Sequence, residues 1–185
     1  MRIRFRQVLG GVFLAGFLLL AVLSVWAQVS FRGRLFVGGA RGGAVNVRID
    51  IESYSSPEEL QRLKQHLGLS DVDGFFGAFR AMKKGAIRYL GGEGLNIGLN
   101  AALERPTEKG IRVLLMTETR SAVPGVRKPN VRGFRFLVIV LDLDEKNKGD
   151  GTIYEDAKIR FTSEGFEIES SYSTPLKIGD VRLAK

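Results

Sequence analysis

Cysteine is missing from the sequence altogether. That excludes disulfides, thiolate metal sites, cysteine nucleophiles and a lipid-modified N-terminal cysteine. Histidine is almost as scarce, with His66 alone in 185 residues. One histidine without cysteine cannot build a zinc site of ordinary composition. Placed beside the Leu63/Leu67 stripe of a helix, His66 reads as a boundary residue rather than a general base. The single tryptophan is Trp26, inside the N-terminal segment, and there are four tyrosines. These are too few for the two aromatic girdles of an outer-membrane barrel, which the chain end Arg182-Leu183-Ala184-Lys185 also fails to resemble. No G-x-S-x-G, H-E-x-x-H or phosphate-loop pattern occurs, and no G-x-G-x-x-G opens a helix after a strand. No metal, cofactor or cysteine chemistry is therefore expected.

Charge is present but spread out. The formal charge is +8, and removing Arg2, Arg4 and Arg6 from 28 basic residues leaves 25 against 20 acidic ones, a surplus of five. A surplus of this size suits an anionic partner or surface. Beyond the N-terminus no run of Lys or Arg is interleaved with aromatics, so nucleic acid is not an expected partner.

Against these absences stands one long apolar run. MRIRFRQ supplies a basic start without acidic residues, GVFLAGFLLLAVLSV an uncharged apolar stretch, and Val25-Trp26-Ala27 a cleavage signal. Residues 1–27 therefore read as a signal peptide cut after Ala27, giving a periplasmic or secreted domain of residues 28–185. The alternative is an uncleaved anchor, because residues 8–27 approach the ~20 apolar residues that span a bilayer. Only in that case is membrane association expected.

After the leader the dominant pattern is alternation. In VNVRIDIES, Val45, Val47, Ile49 and Ile51 face one way and Asn46, Arg48, Asp50 and Glu52 the other, as in a strand with one dry and one wet face. Ser56-Pro57-Glu58-Glu59 is a helix start with a capping box. Leu60, Leu63 and Leu67 follow as the apolar stripe, and Gly68 is the expected left-handed stop. A second helix begins at Ser70 or Asp71 and buries Phe75, Phe76, Phe79 and Met82. From Ala86 the chain returns to strands: AIRYL, GLNIGLNAALE, GIRVLLMTETR, GTIYEDAKIRFT, GFEIESSYS and a last strand, LKIGDVRLAK, placed at an edge. FRFLVIVLDLD is apolar on both faces and reads as a central strand covered on both sides. The fold class is α+β, mainly β: a strongly curved antiparallel sheet or partly open barrel of about seven to nine strands. A helical pair is inserted at about residues 56–85.

The stretch LDLDEKNKGDG tests a calcium reading. An EF-hand needs oxygen ligands at loop positions one, three, five and twelve and glycine at six. Starting at Asp144 puts Lys146 and Lys148 at ligand positions; starting at Asp142 puts Lys146 at five and Asn147 at six. Neither register works, and Asp, Asn and Gly between two strands favour a hairpin turn.

Three sets of candidate residues remain. Arg127, Lys128 and Arg132, in the proline-containing loop of residues 121–133, are positioned to contact an anion or acidic partner. Phe75, Phe76, Phe79 and Met82 can line a pocket, although such a stripe is ordinarily the seam between a helix and a sheet. Glu52, Glu104, Glu118 and Asp142 sit on or beside strands, where paired carboxylates could do acid/base work.

The segment VNVRIDIESYSSPEELQRL, the strand AIRYLG after the helices, and the apolar strand running into LDLDEKNKGDGT resemble a group of uncharacterised exported bacterial proteins. The resemblance covers most of the chain after the leader. It implies export and a shared β-rich fold, and no active residue. The function expected is that of an exported, non-enzymatic cell-envelope domain binding a small ligand or an envelope protein. The alternatives are a hydrolase using carboxylates only and a structural subunit of an envelope assembly.

Overall fold

The computed structural model describes residues 28–37, 43–90, 96–118, 136–162, 165–171 and 173–184. In chain order these form β1 (Val29–Val37), β2 (Gly43–Ile51), α1 (Pro57–Gly68), α2 (Val72–Ala81), β3 (Gly85–Leu90) and β4 (Asn96–Leu99). β5 (Ala101–Thr107), β6 (Gly110–Glu118), β7 (Phe136–Asp144), β8 (Lys148–Thr162), β9 (Gly165–Ser171) and β10 (Leu176–Leu183) follow.

All ten strands belong to one antiparallel sheet, ordered β4-β3-β2-β1-β10-β8-β7-β6-β5, with β9 paired to β8 off that path. The sheet is strongly curved without closing into a barrel. Its two ends meet covalently, because β4 passes through Asn100 directly into β5. The Asn100 N–H donates to the Met116 carbonyl at 2.9 Å. Its side-chain amide donates to the Met82 carbonyl at 3.0 Å, and its oxygen accepts from Thr117 Oγ1 at 2.8 Å. What reads in sequence as one strand, GLNIGLNAALE, is thus two strands pairing at opposite ends of the sheet. This break turns the nine strands read from the sequence into ten.

Curvature creates an inside and an outside. Phe31, Leu35, Val47, Ile49, Ile51, Ile87 and Tyr89 pack within the curve against Leu115, Ile139, Leu141 and Ile153 from the opposite half. A second core lies on the outer face of β5–β7, where Leu103, Leu114, Met116 and Val138 meet both helices and the β8–β9 hairpin. β7 is therefore dry on both sides, as its composition predicts.

The helix starts follow the sequence closely. Ser56 Oγ accepts from the Glu59 N–H at 3.3 Å and Glu59 Oε2 accepts from the Ser56 N–H at 2.8 Å, completing the capping box. Lys84, almost wholly buried, reaches Glu59 at 2.7 Å and ties the helical pair to the start of β3. Asp71 caps α2 through the Gly74 N–H at 2.9 Å.

Three expectations need correction. Gly68 is not the left-handed stop; Ser70, two residues on, takes φ 57°. Leu67 is 43% exposed, because the stripe turns away from the core in the last turn of α1. The last strand, β10, is not an edge but lies between β1 and β8, and its alternation is obscured by a bulge between Ile178 and Val181.

The Asp-rich stretch is the β7–β8 hairpin. Asp144 Oδ1 accepts the backbone N–H of Lys146 and of Lys148, each at 2.8 Å, and Asn147 takes φ 56°. Those backbone donors, with the neighbouring lysine charges, hold the Asp144 carboxyl below the usual aspartate range.

Candidate functional site

Two concavities flank α2, one apolar and one polar. The apolar groove, about 490 Å³, lies between the α1–α2 junction and the β8–β9 hairpin, lined by Leu67, Val72, Phe75, Phe76, Phe136 and Phe161 among others. Helical spacing puts Phe75, Phe76 and Phe79 on the buried side of α2, and Phe136 enters from the start of β7. Phe136 stacks on Phe76 at 5.9 Å and meets Phe79 edge-on at 5.6 Å. Phe75 stands edge-on to Phe161 of β8 at 5.8 Å. Offset and edge-to-face contacts of this kind add ~0.5–1.5 kcal/mol each beyond area burial, so the floor of the groove is rigid.

The rim differs from the floor. Leu67, Leu69 and Val72 project from the α1–α2 junction, Leu69 at 79% exposure. On the hairpin side, Arg160 pairs with Glu167 at 3.2 Å and Lys158 with Glu169 at 3.0 Å. The groove thus has an apolar floor, an apolar lip on one side and paired charges on the other.

The polar cleft, about 510 Å³, opens where the ends of the sheet meet and is lined by Glu52, Arg80, Met82, Asn100, Thr117 and Glu118 among others. Arg80 donates to both Glu118 oxygens, at 2.7 and 2.8 Å, while its guanidinium lies 5.3 Å above the Phe76 ring. The Glu118 hydrogen bond raises the already high pKa of Arg80 further. A bidentate clamp of this sort engages both carboxylate oxygens at once.

The sequence candidates are thereby sorted. Phe75 and Phe76 line the groove, Phe79 is fully buried beneath it, and Met82 lines the other cleft. Glu52 and Glu118 share the polar cleft. Glu104 is instead hydrogen-bonded to Tyr54, whose hydroxyl pKa is raised by burial and by that carboxylate. Asp142 pairs with Arg112 at 2.6 Å, away from both concavities. Arg127, Lys128 and Arg132 lie outside the described residues. His66 sits at the end of α1 with Nδ1 2.8 Å from Asp71 Oδ2, as a boundary residue would. Phe136 and Phe161 went unpredicted because they belong to distant strands. The apolar start of FRFLVIV and the alternation in KIRFT were the only signals for them.

Among the described residues, no group of three or more His, Cys, Asp or Glu could hold a metal ion, and no helix is long and apolar enough to cross a membrane. No protein-family model, curated protein or solved structure matches the chain.

Proposed function

We propose that the chain is an exported, non-enzymatic binding domain of the cell envelope, and that its apolar groove receives an apolar segment of a partner protein. The observation that carries this reading is the continuity between the phenylalanine floor and the uncovered Leu67 and Val72 that line the groove, with exposed Leu69 between them in the chain. A contiguous apolar surface is costly to leave in water and marks contact sites. The far edge of β9 supports it, since β9 pairs with β8 alone among the described residues. A partner strand laid beside it would gain main-chain hydrogen bonds while seating alternate side chains in the groove.

Site-specific photo-crosslinking in cells tests the proposal. A crosslinker at Leu69 should yield a protein adduct of one discrete mass, absent when the crosslinker is moved to exposed Lys109. Equal labelling at both positions, or none at Leu69, would refute it.

A second reading, hydrolysis by carboxylates alone, is favoured only by the meeting of Glu52 and Glu118 in one cleft. It requires a carboxylate pair free to face a substrate, whereas both Glu118 oxygens accept from Arg80.

A further inference from the structure

Strand register assembles on the outer face a feature that no stretch of the sequence displays. Arg48 lies opposite Arg32 on β1 and Arg88 on β3, Arg32 lies opposite Arg182 on β10, and Arg182 opposite Lys148 on β8. Directly opposed residues of antiparallel strands share a face. Phe31, Val47, Ile49, Ile87 and Val181 beside them point into the core. The five cations therefore form one outward row across five adjacent strands, about 19 Å long at the usual strand spacing.

Opposed like charges destabilise a sheet, and this row is only partly compensated. Asp50 lies beneath it, 3% exposed, taking Arg48 Nε at 2.8 Å and Arg88 Nε at 3.3 Å. Arg32 and Arg182 have no ion pair among the described residues. Asp144 faces Lys148 at the end of the row, so five cations against two carboxylates leave a surplus of three, where the whole chain from Gln28 has five. The adjoining row holds Asp150 and the ion pair of Arg34 with Asp180.

We infer that this arginine row is a docking surface for an anionic phospholipid bilayer. The face is convex and offers no nest for a single small anion, whereas a bilayer presents many phosphates in a plane. Exposed Phe36 and Leu90 project from the same face, one or two rows away, and supply apolar side chains to the headgroup region. Single-stranded nucleic acid is normally bound in a groove with several stacking aromatics, which this face does not have.

Vesicle flotation tests the inference, using the chain from Gln28 onward, which contains every strand, helix and core residue described. It should float with vesicles containing about 30% phosphatidylglycerol at about 50 mM salt, stay down with pure phosphatidylcholine, and be released at about 500 mM. At roughly fivefold per arginine, R32Q/R182Q should lose about 25-fold in affinity. R32K/R182K should retain binding, and K64Q/K109Q, which removes equal charge elsewhere, should change it less than about twofold. R32Q/R182Q relieves opposed charges, so its Tm should not fall. Equal losses in R32Q/R182Q and K64Q/K109Q, equal flotation with neutral vesicles, or tighter binding of a single-stranded DNA oligonucleotide than of the vesicles would overturn the assignment.

Discussion

The two halves of the sheet turn the same kind of outer face to different uses. On β5–β7 the outward residues are Leu103, Leu114, Met116 and Val138, and the helices and the β8–β9 hairpin cover them. On β10, β1, β2 and β3 the outward residues include Arg182, Arg32, Arg34, Arg48 and Arg88, and no described element lies over them. Inside the curve both halves contribute aliphatic side chains to a single core. The difference between the halves thus lies in the outward positions alone. An apolar outer set recruits a second layer and leaves a groove at its margin, while a cationic set stays in water and is available to an anion.

The largest effect should come from the covered half. Phe136 touches Phe75, Phe76 and Phe79 at once, so Phe136→Ala should cost about 3–5 kcal/mol in urea unfolding. Arg32→Ala on the bare half should stay within about 0.5 kcal/mol. Similar losses at the two positions would break the distinction.

Asp50 should come next. Burial alone would raise its pKa, but hydrogen bonds from Ser30 and Arg48 and the charges of Arg48 and Arg88 outweigh burial and hold it below the ordinary 3.8. A depressed carboxylate contributes stability above its unfolded pKa and loses it as pH falls through the folded value. Asp50→Asn should therefore cost about 2–3 kcal/mol at pH 7, leaving Arg48 and Arg88 unpaired in the row. In denaturation at acid pH, the gap between variant and parent should close below 3.8.

How much of this could be read beforehand depends on the range of the signal. Capping at Ser56 and Asp71, the alternation of β2, the two dry faces of β7 and the hairpin at Asp144 are all local, and each was legible. The arginine row was not, because Arg32, Arg48, Arg88 and Arg182 are separated in sequence and brought together only by register. Asp50 reads as a wet-face residue by alternation, yet neighbouring arginines roof it over. The groove was half legible: helical spacing marks Phe75 and Phe76, but Phe136 and Phe161 arrive from strands whose pairing the sequence does not specify. The central position of β10 was hidden by its bulge.

A smaller effect concerns Asp156, at the β8 bulge where the strand exchanges one partner for another. It takes φ 49° and is 6% exposed. Burial raises its carboxyl pKa, only partly offset by a hydrogen bond from Ser173. Here the sign reverses, since the folded chain holds the proton more tightly and charging the group costs stability as pH rises. Asp156→Asn also tolerates the left-handed backbone. It should gain about 0.5–1 kcal/mol at pH 7, and thermal scans should show the gain fading below 3.8.

The smallest effect on stability should come from the lip of the groove. Leu69 and Val72 are 79% and 53% exposed, so L69E/V72E should shift unfolding by less than about 0.5 kcal/mol. The same variant gives the most direct test of the binding reading, by native mass spectrometry of the chain purified from its own cells. Partner binding at this lip predicts one chain carrying a protein partner of discrete mass, and a bare chain for L69E/V72E. A small-molecule adduct, or an identical spectrum for parent and variant, would contradict it.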